Sequence, residues 1–206
     1  MKLYNKLKEV EKMKTILEIC QEVADIVGVT RPANLFSQPD CKWRELIRNE
    51  LVSLRDYGEW HDTIRQGYFT IKTGWKRYLI DDFAPDFNLL SNSTIFIKDK
   101  QGRVISAIIP EKREEYFKIK NGYFILKNKL PEGAKVIFQY RSTCVAWDYD
   151  NFEEKTVLDK NTDVPIFDEY LVKLGVLWRY ELYKGIDFNE DYSEYKRELI
   201  KRFAMN

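Results

Sequence analysis

The 206-residue sequence contains one histidine, three cysteines and none of the spacings that usually build metal sites. A single histidine weakens any hypothesis of a histidine-rich metal site or of a serine–histidine–aspartate triad. Cys20, Cys41 and Cys144 are widely spaced and odd in number, so neither a zinc site nor a disulfide framework is indicated. This cysteine usage is typical of a protein that assembles in a reducing cytosol.

Long apolar runs are also missing. No stretch of about eighteen consecutive apolar residues occurs, so the sequence predicts no membrane-spanning helix and no membrane partner. The amino terminus is too polar and charged for a signal peptide. Met13 begins a cleaner helical pattern than Met1 does, so we interpret residues 1–12 as an added arm and Met13 as an alternative start.

An excess of charge of one sign is absent. Lysine and arginine number 34 and aspartate and glutamate 33, which gives a net charge of +1. A dedicated nucleic-acid reader usually carries a basic excess, so this balance weighs against specific DNA binding. Hydrophobic residues make up 44% of the chain and aromatic residues 15%, which is enough for a sizeable core.

Catalytic motifs are absent as well. The sequence has no phosphate-binding glycine loop, no nucleophile elbow and no zinc-protease motif. His61 and Asp62 are adjacent in the chain, where side chains point apart, so we interpret His61 as a structural or surface residue. Acidic pairs such as Glu114–Glu115 could serve a glycosidase only if a cleft held two carboxylates on either side of the substrate. The sequence therefore indicates no catalytic residue and no cofactor, and a cell-wall glycosidase stays an alternative.

Helical periodicity is present at both ends of the chain. The first predicted helix has an apolar stripe formed by Ile16, Ile19, Cys20, Val23, Ile26 and Val27. The second runs from about Cys41 to Tyr57, with Asp40 as its N-cap and Gly58 as its end. Its predicted apolar face comprises Trp43, Leu46, Ile47, Leu51 and Leu54. We expect these two helices to pack as an antiparallel pair.

Two more helices are predicted near the carboxyl terminus. Asp163 would cap the third, and Pro165 would lie in its first turn, where proline is tolerated. The predicted core stripe of the third helix is Leu171, Leu174, Leu177, Trp178 and Leu182. After a break at Gly185, the fourth helix is predicted from about Asn189 to Phe203, with acidic residues at its start and basic residues at its end.

The middle of the chain, from Thr63 to Trp147, has a strand-like pattern. Asn121-Gly122 is typical of a type I′ turn, and counting outward from it pairs Phe117 with Leu126. A further hairpin is predicted in "IFIKDKQGRVIS", and a strand with Val136, Phe138 and Tyr140 on one face follows "LPEGA". We expect an antiparallel β-meander that forms a small barrel or sandwich.

These patterns predict an α+β fold in which a helical body of four main helices, two at each end, carries an inserted β-meander. We expect one subunit with a helical pair at 1–58, a β-rich insertion at 59–148, a polar exposed link at 149–162 and a second helical pair at 163–206.

Four segments of the chain resemble the head-to-tail connector, or adaptor, proteins of tailed bacteriophages, mainly of the short-tailed kind. They are "TILEICQEVADIVGVTRPANLF", "IRNELVSLRDYGEWHDTIRQGYFTI", "NGYFILKNKLPEGAKVIFQYRSTCVA" and "DVPIFDEYLVKLGVLWRYELYKGIDFNEDYSEYKRELIKRF". The last segment is the most specific, because an aromatic-containing helix is followed by a "KG-x-D" break and then by an acidic-to-basic helix. The likeness covers nearly the whole chain after Met13.

The resemblance implies a virion protein of the phage neck. Such proteins commonly form a ring of twelve copies below the portal, join the head to the tail and extend the DNA channel. The implied partners are the portal protein, the next neck or tail protein and further copies of the chain, while the packaged DNA passes without specific binding. Another neck or tail-completion ring component is the alternative within the same class.

Three places in the sequence are candidates for protein interfaces. Trp75, Lys76 and Arg77 combine a basic cluster with an aromatic residue, a combination that is enriched at interfaces but that also binds single-stranded nucleic acid. Ordinary strand and loop packing is the competing interpretation. The full set of candidate residues is Trp75, Lys76, Arg77, Tyr149, Asp150, Phe152, Glu153, Lys201, Arg202 and Phe203.

Overall fold

A computed structural model describes residues 13–205, and the predicted amino-terminal arm and start site lie outside this range. The described chain is a mixed α+β structure with five helices and eleven strands, and all its strand pairs are antiparallel. It divides into two compact units. We call residues 13–62 and 144–205 the helical unit and residues 63–143 the β unit.

The helices are α1 (Ile16–Ile26), α2 (Cys41–Tyr57), α3 (Arg113–Tyr116), α4 (Glu169–Lys184) and α5 (Asn189–Met205). The strands are β1 (Ile64–Thr70), β2 (Arg77–Leu79), β3 (Phe87–Leu90), β4 (Ile95–Lys98), β5 (Val104–Ile108), β6 (Phe117–Lys120), β7 (Tyr123–Leu126), β8 (Lys135–Ser142), β9 (Ala146–Asp148), β10 (Glu153–Lys155) and β11 (Val164–Pro165). Within residues 13–205, no helix is both long enough and apolar enough to span a membrane.

Helix α1 begins with a complete capping box. The Thr15 hydroxyl accepts from the Glu18 amide, and the Glu18 carboxylate accepts from the Thr15 amide. Most of the predicted stripe is buried, but Ile26 is 57% exposed and Ala24 is buried in its place. The prediction for Ile26 was wrong because the helix ends there, so position 26 no longer faces the core.

Helix α2 has the predicted bounds, and all five predicted apolar positions are buried. Asp40 precedes the helix but makes no side-chain capping bond; its carboxylate accepts from the amides of Ala33 and Asn34 in the preceding loop. Both α1 and α2 pack chiefly on α4 rather than on each other. The helical core is therefore organised around α4.

The predicted start of the third helix was wrong. Helix α4 is capped by Asp168, whose carboxylate accepts from the Leu171 amide, and Pro165 lies in β11, which pairs with β9. Asp163 is fully buried and accepts from the amides of Asp159 and Lys160. On α4 itself, Leu182 is exposed and Tyr180 is buried instead, stacked on Trp43 with ring centroids 4.6 Å apart.

The segment 148–162 was predicted to be a polar, exposed link, which is wrong in part. It contains β10, which pairs with β9, and β9 also pairs with β11, so a three-stranded sheet forms within the helical unit. Asp148 and Leu158 are buried. Asn161 ties the segment to the amino-terminal region, because its side-chain oxygen accepts from the Leu35 amide at 3.0 Å.

The β unit holds two sheets, and the described residues form no closed barrel. β8 is the central strand of the larger sheet: β1 pairs along one edge, while β4 and β3 share the other and β5 pairs with β4. The smaller sheet has the order β2-β7-β6. The predicted sequential meander was wrong, because β1 pairs with the distant β8 rather than with its neighbour in the chain.

The local predictions for this unit are confirmed. Asn121 and Gly122 have φ values of 51° and 75°, as a type I′ turn requires, and Phe117 pairs with Leu126. Val136, Phe138 and Tyr140 are buried, and β4 and β5 form the other predicted hairpin. Both sheets contribute to one aromatic core, in which Phe124 of β7 lies 5.0 Å from Phe138 of β8.

Candidate protein interfaces

A large open cavity lies in the β unit and has a volume of about 510 Å³. Two loops form its walls: residues 71–76, between β1 and β2, and residues 126–132, between β7 and β8. We call this space the lysine groove. Its charged side chains are Lys72, Lys76, Lys127, Lys129 and Glu132. Four cations therefore face one carboxylate, in a chain that is almost neutral as a whole.

Trp75 is the aromatic residue of the lysine groove and is 53% exposed. The ammonium group of Lys72 lies 4.3 Å from the centroid of its ring, within cation–π range. Tryptophan is enriched at the centres of protein interfaces relative to the rest of the surface, so the exposed Trp75 ring makes the groove an interface candidate. The groove can therefore hold an anionic group and an apolar side chain at the same time.

Hydrogen bonds fix the walls of the lysine groove. The Leu126 amide donates to the Lys76 carbonyl at 2.9 Å, and the Lys72 amide donates to the Tyr78 hydroxyl at 2.9 Å. On the opposite wall, the Lys127 amide donates to the Tyr116 carbonyl at 2.7 Å. Because these bonds exist in the isolated chain, the groove is formed before any ligand arrives.

Of the three predicted residues in this region, the structure places two in the groove. Trp75 and Lys76 line it, whereas Arg77 lies on β2, with its guanidinium 5.7 Å from the Tyr123 ring centroid. Lys127 and Lys129 were not predicted. They are far from Trp75 in sequence, and the pairing of β2 with β7 and of β1 with β8 brings the two loops together.

The second candidate region forms the turn of the β9–β10 hairpin. We call residues 149–152 the aromatic turn, because Tyr149 and Phe152 are 36% and 37% exposed with ring centroids 6.3 Å apart. Phe152 has a φ of 55°, which bulky residues rarely adopt. Asp150 and Glu153 are exposed beside the rings, so the turn presents aromatic and acidic groups together.

Asp148 holds the backbone of the aromatic turn. Its Oδ1 accepts from the amides of Asp150 at 2.9 Å and Asn151 at 3.2 Å. Lys160 lies 2.9 Å from the other carboxylate oxygen, and hydrogen bonding from Lys160 lowers the pKa of Asp148 to about 2. Lys160 also contacts Asp150 at 3.0 Å, although the Asp150 side chain stays 58% exposed. The turn is therefore preformed, like the lysine groove.

The third candidate region lies on the last turns of α5. Arg202 bonds to Asp168, the N-cap of α4, and Lys201 reaches Glu198 at 3.3 Å. The Phe203 ring lies 5.1 Å from Tyr57 and 5.3 Å from Trp60. These contacts join α5 to the ends of α2 and α4, so Phe203 and Arg202 have structural roles within the helical unit.

Sequence patterns did not reveal an exposed apolar cluster at the end of α4. Leu182, Tyr183 and Ile186 are each about half exposed there. Desolvation, a hydrogen bond with Asp191 and the charge of Asp187 raise the pKa of the nearby Glu181 to about 7. Because exposed apolar side chains grouped at one place mark binding surfaces, this cluster is a further candidate.

Of the residues considered for chemistry, Glu114 and Glu115 adjoin the lysine groove, because their backbone carbonyls accept from the side chains of Lys127 and Asn128. The His61 side chain is 88% exposed, with Nδ1 3.9 Å from the Asp62 carboxylate. Cys20 and Cys144 are buried, and burial raises the pKa of the Cys20 thiol. No family model matches this chain, and no curated protein matches it significantly.

Proposed function

We propose that the chain is a connector subunit of a tailed-phage neck, which forms a ring below the portal and extends the DNA channel into the tail. The observation that carries the proposal is the arrangement of the chain: residues 13–62 and 144–205 fold into one helical unit, and the β unit is inserted between them. In the phage connectors that the sequence resembles, helices form the ring body, and extended loops or the carboxyl end reach the portal.

The surface composition supports an assembly role. The lysine groove, the aromatic turn and the apolar cluster at the end of α4 each combine exposed apolar groups with charges. A closed ring needs a heterologous interface, in which one surface of a subunit meets a different surface of the next. Several chemically different surfaces on one chain fit that requirement.

The net charge supports the same role. With 34 basic and 33 acidic residues, neighbouring copies can pack side by side without strong overall repulsion. The proposed partners are the portal protein, the next neck or tail protein and other copies of the chain, commonly twelve in such rings. The packaged DNA would pass through the channel without a specific contact, and the finished protein would reside in the virion neck.

Mass photometry of the protein alone, and mixed with the portal of the same phage, tests the proposal. We expect a monomer of 24.7 kDa alone and a stoichiometric ring on the portal. No association with the portal under any salt condition would overturn it. If the chain bound the tail tube or nozzle instead, its position would be elsewhere in the neck or tail.

A further inference from the structure

The lysine groove and the aromatic turn have complementary chemistry. The groove carries four lysines around Trp75, and the turn carries Asp150 and Glu153 around two exposed rings. Opposite charges would attract the two surfaces, and the lysines would meet aromatic faces that favour cations. Two copies of the same surface would repel each other, so the contact has a direction.

The dimensions of the lysine groove and of the aromatic turn are also compatible. A cavity of about 510 Å³ lies within the range of about 300–1,000 Å³ that protein pockets use for compact ligands. The aromatic turn presents its rings 6.3 Å apart at the end of a hairpin, which is a compact protrusion.

Both surfaces are held in shape before they meet. Backbone hydrogen bonds fix the groove walls. The Asp148 carboxylate fixes the turn, because its Oδ1 accepts from the Asp150 amide at 2.9 Å. The positive φ of Phe152 is a strained conformation for that side chain, and such strain is found where a residue has a role other than stability. Phe152 occupies a position that asparagine or glycine would occupy with less strain.

We propose that the lysine groove of one copy receives the aromatic turn of a second copy of this chain. This inference rests on the proposed function, because it names the two surfaces that meet between neighbouring subunits of the ring. The contact is heterologous: each copy offers one groove and one turn, so subunits add in a head-to-tail order until the ring closes.

Two full-length variants test the contact. The groove variant carries Lys76→Glu and Lys129→Glu, and the turn variant carries Tyr149→Ala and Phe152→Ala. A matched control carries Lys112→Glu and Lys118→Glu, which reverse two exposed cations of the β unit outside the groove. Circular dichroism and thermal melts establish that each variant is folded before association is measured.

Sedimentation velocity at the highest soluble concentration, and assembly on the portal, give the readout. We expect each test variant alone to associate with itself at least about tenfold more weakly than the wild type, and the control to behave as the wild type. A mixture of the two test variants should form a one-to-one pair that grows no further. In that pair the intact turn of the groove variant enters the intact groove of the turn variant.

The outcomes separate the contact from the proposed function. If wild type and both variants form equal rings on the portal, the contact is overturned and the function stands. If the mixed variants pair in solution but wild type never joins the portal, the contact stands and the function is overturned. The contact is also overturned if the wild type self-associates neither in solution nor on the portal. It is overturned again if the groove binds a single-stranded oligonucleotide while the turn variant still self-associates.

Discussion

Gly175 of α4 lies against the carboxyl group of Glu50 on α2. A Cβ atom at position 175 would lie 2.0 Å from Glu50 Cδ, well inside contact distance. Glu50 is fully buried, and its Oε2 lies 3.0 Å from Arg179 Nη2, one turn further along α4. The absence of a side chain at Gly175 therefore makes room for a buried acid between the two helices.

Gly175→Ala should destabilise the protein. Alanine is favoured over glycine inside a helix by about 1 kcal/mol, but overpacking a filled site costs about 1–3 kcal/mol. Because Glu50 could retreat only by leaving Arg179, we expect a net loss of about 1–2 kcal/mol in denaturant unfolding. In a Glu50→Ala background, Gly175→Ala should lower the free energy of unfolding by less, or raise it. An equal cost in both backgrounds would contradict this packing relationship.

Because of Glu50, the free energy of unfolding should fall as pH rises from about 4.5 to about 7. Burial raises the pKa of Glu50 to about 7 from its ordinary 4.5, and Arg179 and the Tyr195 hydroxyl offset only part of that rise. Between these values the folded state holds a proton that the unfolded state has lost, so the free energy of unfolding decreases with increasing pH. The full effect is on the order of 3 kcal/mol, present below pH 4.5 and lost above pH 7.

Urea unfolding of the wild type and of Glu50→Gln from pH 4.5 to 8 measures this dependence. We expect the variant to lose the part of the slope that Glu50 contributes, whatever its absolute stability, because glutamine does not titrate. Glu181→Gln is the necessary control, since the pKa of Glu181 is also raised to about 7. A slope that vanished in the Glu181 variant and persisted in Glu50→Gln would show that the wrong acid had been chosen.

The parts of the fold that follow from local chemistry could be predicted from the sequence. Asn121-Gly122 demands positive φ at both positions, which fixes the turn and with it the pairing of Phe117 with Leu126. The α2 face follows from helical spacing, and all of its predicted apolar residues are buried. In each case neighbours within a few residues determine the outcome.

The predictions that were wrong concern contacts between segments that are distant in the sequence. Asp163 and Pro165 looked like the start of a helix, but β11 pairs with β9, and the Asp163 carboxylate bonds to Lys155 and to nearby amides. The lysine groove was recognised only through Trp75 and Lys76. Its other wall reaches this position through strand pairing, which local patterns do not encode.

Phe152→Asn should leave the stability of the subunit unchanged or raise it, because Phe152 is strained at its positive φ. Asparagine tolerates positive φ better than phenylalanine does, so we expect thermal unfolding to show equal or greater stability, by up to about 1 kcal/mol. The paired variant Tyr149→Asn has no such strain to relieve and is not expected to stabilise. A marked loss of stability in Phe152→Asn would mean that the ring is held by packing within the subunit rather than left available to a partner.

Phe203→Ala should destabilise the helical unit, whereas Lys201→Ala should not. The Phe203 ring fills the space over Gly58, where a Cβ atom would lie 2.3 Å from it, and contacts Tyr57 and Trp60. Because the ring is only half buried, we expect a loss of about 2–3 kcal/mol, below the 3–5 kcal/mol typical of a fully buried phenylalanine.

Lys201 is the matched control because its bond to Glu198 is a surface ion pair, and such pairs contribute little. Its removal should change the free energy of unfolding by less than about 0.5 kcal/mol. Denaturant unfolding of both variants, followed by portal assembly at a temperature where both remain folded, distinguishes the two roles of the carboxyl-terminal turns. If folded Phe203→Ala still joins the portal, the Phe203 side chain stabilises the core of the subunit and is not needed for docking. If it remains folded and fails to join, position 203 also contributes to docking.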